Sequence, residues 1–145
     1  MNYSLKKVLS CLAGVVVMTI AVMNTACTSN SQLDLAIRIA AADCPMVIDE
    51  MTTVTDIFRE EGNVVYACSV NEEIAEVSVS ELDMPLIRDV MKNAMLETLK
   101  EMNENDDDFK EFVKLCKDAG CNIVYRYIGS ESGYSMDIPI YPSEL

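Results

Sequence analysis

The N-terminus constrains this chain most, because its pattern is that of a segment removed before the protein folds. Lys6 and Lys7 precede an uncharged, largely apolar run, Val8–Met23, and small and polar residues follow up to Ala26. A basic start, an apolar run and a small residue before the cut are typical of a secretion signal. The apolar run is shorter than the roughly 20 residues that a helix needs to span a bilayer. The sequence therefore predicts a cleaved signal peptide at residues 1–26.

The end of this segment resembles the processing site of bacterial lipoproteins. In that family a cysteine that follows a small residue becomes the acylated N-terminus, and here Cys27 follows Ala26. Asn24 departs from the family, which usually has an aliphatic residue at that position. The resemblance implies that Cys27 carries acyl chains, such as palmitate, which give a stable membrane anchor once more than one is attached. The alternative is ordinary cleavage near Ala26, which leaves Cys27 an incidental thiol.

The predicted mature chain is strongly acidic. Without Lys6 and Lys7 it contains nine basic and 24 acidic residues, a formal charge of −15. Such a charge repels nucleic acid and anionic lipid head groups. We therefore expect no nucleic-acid partner. Attachment to a membrane is expected to depend on lipid at Cys27, with the domain in the cell envelope and facing the periplasm or the exterior.

Residues 27–32 are predicted to form a short tether before a single domain at residues 33–145. The domain opens with apolar residues at helical spacing over Leu33–Ala42, which predicts a first helix. Cys44 precedes Pro45, and a residue before proline disfavours the helical conformation. The helix is therefore expected to end there.

Two pairs of strand-like segments occur in the domain. Thr52–Arg59 and Val64–Val70 are rich in β-branched and aromatic residues around a short turn, which predicts a hairpin. Cys121–Ile128 and Tyr134–Tyr141 predict a second hairpin. Pro139 has no N–H for a ladder bond, so the last strand is expected at an edge of the sheet.

A helical region separates the two hairpins. Pro85 fits a helix start, since proline is tolerated in the first turn. The acidic run Asn105–Asp108 suits the start of a second helix, and Gly120 suits its end. This order predicts an α+β fold, with an antiparallel four-stranded sheet of two hairpins and the helices packed on one face. Ala75–Ser80 alternates in polarity and is interpreted as one extra short strand.

Histidine and tryptophan are both absent from the chain. Without histidine there is no Ser-His or Cys-His nucleophile pair, no imidazole base and no histidine-ligated zinc site. The cysteines also lack the Cys-x-x-Cys spacing of a zinc or redox motif. We therefore predict no catalytic residues, no metal site and no cofactor, and we expect the protein not to be an enzyme.

Four cysteines remain after Cys27, and an even number in an oxidising compartment favours disulfides. Cys116 and Cys121 flank a predicted turn, and a bridge between Cys44 and Cys68 would tie the first helix to the second strand. Four cysteines allow three pairings, and the sequence does not choose among them. Alternatively, Cys68 and Cys116 are small core residues, because each lies on an apolar face.

Tyrosines are the candidate interaction residues. On the exposed face of a sheet a tyrosine offers a large contact area with a polar tip, which suits protein recognition. The alternative is ordinary sheet packing, since strands favour aromatic residues. The tyrosines on predicted strands are Tyr66, Tyr125, Tyr127, Tyr134 and Tyr141.

The last third of the chain resembles small α+β proteins of the bacterial envelope. The resemblance depends on the stretch Val124-Tyr-Arg-Tyr, the glycine-containing turn after it and the amphipathic last strand. It implies no catalytic residues.

Three functions are consistent with these features. The one we predict is a lipid-anchored module that binds another envelope protein. The second is a carrier for a small apolar ligand, with methionines lining a space between helices and sheet. The third is a hydrolase that uses two converging carboxylates with raised pKa values. The methionines in question are Met84, Met91, Met95 and Met102.

Overall fold

The computed structural model describes residues 29–145. The predicted signal peptide and the predicted lipidation residue Cys27 lie outside these residues. The helices are α1 (Ser29–Ala42), α2 (Glu72–Ala75), α3 (Val79–Leu82), α4 (Pro85–Asn105) and α5 (Asp107–Asp118). The strands are β1 (Met46–Val47), β2 (Thr52–Glu60), β3 (Asn63–Val70), β4 (Asn122–Gly129) and β5 (Ser135–Ile140), and a 3₁₀ turn follows at Pro142–Glu144. Within residues 29–145, no helix is long and apolar enough to cross a membrane.

The α+β class and both hairpins are confirmed. The five strands form one sheet in the order β1-β2-β3-β4-β5, so β5 lies at an edge, as Pro139 predicted. The two hairpins meet through β3 and β4, which run parallel with Tyr66 opposite Tyr125. The sheet is therefore mixed rather than wholly antiparallel. A parallel pair needs a long connection between its strands, and the helical region between the hairpins provides it.

The fifth strand is Met46–Val47, and the expected extra strand at Ala75–Ser80 is instead part of two short helices. Ser78 caps the second of these, because its hydroxyl accepts from the N–H of Glu81 while the Glu81 carboxylate accepts from the N–H of Ser78. This reciprocal capping box satisfies two otherwise unpaired helix donors. The local Ser-x-x-Glu capping signal therefore favours a helix here, although the alternating polarity of the segment predicted a strand.

Helix α1 begins at Ser29, before the predicted start at Leu33, so most of the expected tether is helical. Arg59 of β2 holds this first turn against the domain. Its guanidinium donates to Asp34 Oδ1 at 2.9 Å and to Asn30 Oδ1 at 3.4 Å. These contacts link the start of α1 to the end of strand β2.

The core lies between one face of the sheet and all five helices. On that face the rings of Tyr66 and Tyr125 stack, with centroids 5.0 Å apart, and Tyr127 Oη lies 3.7 Å from Met95 Sδ. Helix α5 contributes its buried phenylalanines, Phe109 among them. The core side chains follow the alternation of the strands, which on β3 places Val64, Cys68 and Val70 in the core beside Tyr66.

The predicted caps of α5 are also confirmed. Asp106 accepts from the N–H of Phe109 at 3.0 Å, which satisfies an unpaired donor of the first turn. Gly120 has a φ of +67° after the last turn, a conformation that a side chain would strain. The N–H of Cys121 then donates to the carbonyl of Cys116 at 2.8 Å, closing a Schellman motif.

Glu72 joins two loops through its carboxylate. The group accepts from the N–H of Val79 at 2.8 Å, from the N–H groups of Glu131 and Ser132 at 3.1 and 2.7 Å, and from the Ser132 hydroxyl at 3.0 Å. Burial opposes ionisation, but these hydrogen bonds outweigh it, and the pKa of Glu72 lies below its usual value. A Cβ added at Gly129 would clash with the Glu72 carboxylate, so glycine at the end of β4 leaves room for this group.

We predict that E72Q destabilises the protein by about 1–3 kcal/mol at pH 7, because the amide leaves buried N–H groups without an acceptor. The lowered folded pKa means that the carboxylate stabilises the protein above its unfolded pKa, and that this contribution is lost as the pH falls through the folded value. Urea unfolding between pH 7 and pH 3 measures both effects.

The exposed neighbour Glu73 provides the control, and E73Q is expected to change the unfolding free energy by less than about 0.5 kcal/mol. G129A should destabilise the protein like E72Q, since the added methyl displaces the carboxylate. If E72Q matched E73Q in stability at every pH, the role assigned to Glu72 would be wrong.

Candidate interaction site along the β5 edge

The structure divides the predicted interaction tyrosines into two groups. Tyr66, Tyr125 and Tyr127 are buried in the core, which corrects their assignment to an exposed surface. They lie on the sheet face that the helices cover, so the alternative of ordinary sheet packing holds for them. Tyr134 and Tyr141 are 42% and 43% exposed and lie immediately before and after β5.

Three further apolar side chains are exposed near the same edge. Met84 is 55% exposed and Leu86 76%, and Val90 is exposed one turn after Leu86. They occupy the start of α4 and its first turns, on a face other than the one that buries Met91. Together with Tyr134 and Tyr141 they account for five of the eight large apolar side chains that residues 29–145 expose.

A groove runs between the start of α4 and the free edge of β5, and we call it the β5 groove. It consists of two adjoining open depressions, of about 410 and 280 Å³. Arg88 of α4 lines both of them. The first is lined by Asp83, Arg88, Arg126, Ser135, Met136 and Asp137, and the second by Pro85, Arg88, Asp89, Lys92, Ile138 and Pro139.

The floor of the groove contains main-chain groups of β5. The N–H of Gly129 donates to the carbonyl of Tyr134, so the hydrogen-bonded pairs of the β4–β5 ladder begin there and recur at every second residue. The main-chain groups of Ser135, Asp137 and Pro139 therefore point away from β4. The one contact that the structure gives them is from Arg88 Nη2 to the carbonyl of Asp137, at 3.5 Å.

Two cations lie along the α4 side of the groove. Arg88 Nη1 is 3.5 Å from Asp83 Oδ1, and its side chain is 44% exposed. Lys92 Nζ lies 3.1 Å from Glu144 Oε1 and 4.9 Å from the centre of the Tyr141 ring. Each cation therefore has a carboxylate beside it but remains accessible from the groove.

Tyr134 is held at the other end of the groove. Its hydroxyl donates to Asp83 Oδ2 at 2.7 Å. This hydrogen bond to a carboxylate raises the pKa of Tyr134, because deprotonation would place two negative charges in contact. The loop before α4 and the loop before β5 are thus joined at the mouth of the groove.

An ion-pair network covers the sheet face opposite the helices. Arg126 of β4 donates to Asp137 Oδ1 of β5 at 2.8 Å and to Glu60 Oε2 of β2 at 2.6 Å. Because β3 lies between β2 and β4, the arginine side chain has to cross β3 to reach Glu60, above the buried Val65. The hydrogen bond from Arg126 lowers the pKa of Glu60. Asp137 lies on this solvent-exposed face, opposite the face that buries Met136 and Ile138.

The methionines proposed to line a ligand space do not share one site. Met91 and Met95 are buried in the core, where Met95 Sδ contacts the Tyr127 hydroxyl, whereas Met84 is exposed on the surface. The depressions along β5 are open and lined largely by polar and charged residues. The geometry therefore favours a docking surface over an enclosed carrier site.

The four cysteines of residues 29–145 are free thiols in this structure. Cys116 and Cys121 belong to one Schellman motif, and Arg59 Nη2 donates to Cys121 Sγ at 3.1 Å. Cys68 and Cys116 are fully buried core residues, and burial raises the pKa of each thiol to about 12. Bridging of these cysteines in the envelope stays a prediction.

We predict that Cys68 and Cys116 resist alkylation by iodoacetamide in the folded protein at pH 8. With a pKa of about 12, only roughly one thiol in ten thousand is a thiolate at that pH. Half-buried Cys44 should react before them. Peptide mass spectrometry measures the labelling, and unfolding without reductant tests for disulfides, since bridged thiols stay unlabelled. Rapid labelling of Cys68 in the folded protein would contradict its burial.

The sequence missed the start of α4 as part of a site. Pro85 predicted the start of the helix, but no interaction residue was predicted at Leu86. A signal was present, since Leu86 and Val90 are four residues apart and share a face of the helix other than the one that buries Met91. A second apolar face on a surface helix indicates a contact outside the core.

The fold is shared with proteins of known structure, although the sequence matches no known protein family and no curated protein. A protein assigned as secreted, from Pseudomonas aeruginosa, superposes with a TM-score of 0.56 at 11% identity, over 83% of this chain and 98% of its own. EpsS, the pilotin of the type 2 secretion system of Vibrio vulnificus, superposes with a TM-score of 0.52 at 13% identity, over 80% of this chain and 94% of its own. At such identities the likeness shows the α+β fold alone.

Proposed function

We propose that this protein is a non-enzymatic interaction module of the cell envelope, anchored by lipid at Cys27, that binds another envelope protein through the β5 groove. The observation that carries the proposal is the concentration of exposed apolar side chains beside the free edge of β5. Single exposed apolar residues are ordinary, but a cluster of them bordering a groove is typical of a protein contact. Leu86, at 76% exposed, is the most prominent of the cluster.

The two structural neighbours support the envelope location. One is described as secreted, and the other is a pilotin of a secretion system. Both descriptions agree with the secretion signal predicted for residues 1–26. The pilotin also supports a role in binding an envelope or secretion protein rather than in chemistry.

The carboxylates give no support to the hydrolase alternative. A general acid needs a raised pKa, which comes from burial or from a neighbouring carboxylate. Within residues 29–145, the carboxylates with a shifted pKa are Glu60, Glu72 and Glu144. In each case the pKa is lowered. For Glu144 burial opposes the shift, but hydrogen bonds from the Tyr141 N–H and from Lys92 outweigh it.

We predict that the protein from native membranes has the mass of residues 27–145 plus acyl groups. C27A should lose the acyl mass and leave the membrane fraction, because the strongly acidic domain has no attraction of its own for anionic lipid. The substitution C44A is a matched cysteine control that should stay acylated. An unmodified N-terminus at or near Cys27 in the wild type would contradict the lipid anchor.

The interaction role predicts a specific envelope partner. A photo-crosslinking residue at Leu86 in the full chain should capture one protein in intact cells, since this position is highly exposed in the first turn of α4. The same residue at Ile74, which is also exposed but lies on α2 away from the groove, is the control. Immunoblotting and mass spectrometry of the adduct identify the partner. If no position on the surface yielded an adduct, the interaction function would be wrong.

A further inference from the structure

We propose that the β5 groove binds its partner by strand addition, taking an extended, acidic and apolar segment as a sixth strand beside β5. This inference rests on the proposed interaction function and specifies its surface, its partner chemistry and its mode of binding. Main-chain hydrogen bonds supply the contact in such complexes, while side chains on either side select the sequence.

The main-chain groups for this pairing are already in place. Ser135 and Asp137 present both an N–H and a carbonyl outward, and Pro139 presents a carbonyl alone. Five groups at alternate residues match a segment of about five residues in extended conformation. No described residue accepts a hydrogen bond from the N–H of Ser135 or Asp137, and both residues are exposed.

Arg88 makes the groove suited to a negatively charged segment. Its contacts with the Asp137 carbonyl and the Asp83 carboxylate are both 3.5 Å long, near the limit for a hydrogen bond. A guanidinium held so loosely is able to turn towards a carboxylate on an added strand and so release the Asp137 carbonyl for pairing. Lys92 offers a second positive charge further along the groove.

The local charge is unusual for this chain. The predicted mature form has a net charge of −15, whereas the cations Arg88, Lys92 and Arg126 balance the three carboxylates that line the two depressions. Acidic residues of a partner are repelled by most of the surface and least repelled here, beside the accessible Arg88 and Lys92, which restricts where they bind.

A second copy of this chain is a poor occupant of the same edge. In a symmetric antiparallel pairing centred on Asp137, this residue would lie directly opposite its counterpart in the second copy. Like charges directly opposite across strands are destabilising. Pro139 would also leave one pairing position in each copy without a donor. The partner is therefore a different protein.

The test is hydrogen exchange of the protein purified from membranes in detergent, read at single amides by fragmentation mass spectrometry. The probe is the peptide Glu-Val-Glu-Val-Glu-Val-Glu with blocked ends, at 150 mM salt. Strand addition predicts that the amides of Ser135 and Asp137 exchange at least about tenfold more slowly with the probe, because they become hydrogen-bonded. The peptide Lys-Val-Lys-Val-Lys-Val-Lys is attracted to the whole acidic surface but should not protect these two amides.

The variant R88Q/K92Q tests the charge requirement and should raise the probe concentration needed for protection about tenfold. The variant K110Q/K114Q removes the same charge from an exposed face of α5, away from the groove, and should leave that concentration unchanged. Equal weakening by both variants would show a general charge effect and overturn the assignment to the groove.

Two other outcomes also overturn the inference. The acidic probe could bind without slowing exchange at Ser135 and Asp137, which would show docking by another mode, or it could fail to bind at millimolar concentration. Neither outcome contradicts the interaction function, which fails only if crosslinking in cells yields no partner from any surface position. The two proposals therefore fail separately.

Discussion

β3 and β4 lie side by side and run in the same direction, and this pairing constrains the rest of the molecule. Residues 71–121 have to return the chain from the end of β3 to the start of β4, a distance that a tight turn does not span. The chain makes this return as four helices, α2 to α5, over one face of the sheet, where α1 also packs. The opposite face carries Arg126 and the two carboxylates with which it pairs, Glu60 and Asp137. β5, which follows the crossover, has its outer side free.

The same crossover places the start of α4 beside β5. Glu72, at the beginning of the return, binds the turn between β4 and β5 and the first N–H of α3. Tyr134 and Asp83 then join the loops that lead into β5 and α4. The two walls of the β5 groove are thus connected at one end by these hydrogen bonds, which fix the width of the groove there.

The sequence predicted those features that depend on local pattern. The residue pattern predicted the strands of both hairpins. Asp106 predicted the start of a helix, Gly120 its end, and Pro139 the position of the last strand at an edge. The parallel joining of the hairpins was missed, since two hairpins with helices between them are compatible with more than one strand order. Burial of Tyr66, Tyr125 and Tyr127 was left open because alternation assigns residues to a face but does not say which face the helices cover. Leu86 was missed because its exposure depends on the position of α4 beside β5.

Pro139 has a consequence for encounters between copies of the protein. A free strand edge is a template on which unfolded or identical chains can stack, and repeated stacking leads to fibrils. Pro139 has no N–H, and Asp137 of one copy repels Asp137 of another. The edge of β5 therefore does not nucleate such growth between copies of the protein. An acylated population would be concentrated in two dimensions, where encounters between copies are frequent. There the same two residues would oppose stacking between copies while leaving the main-chain groups of Ser135 and Asp137 accessible.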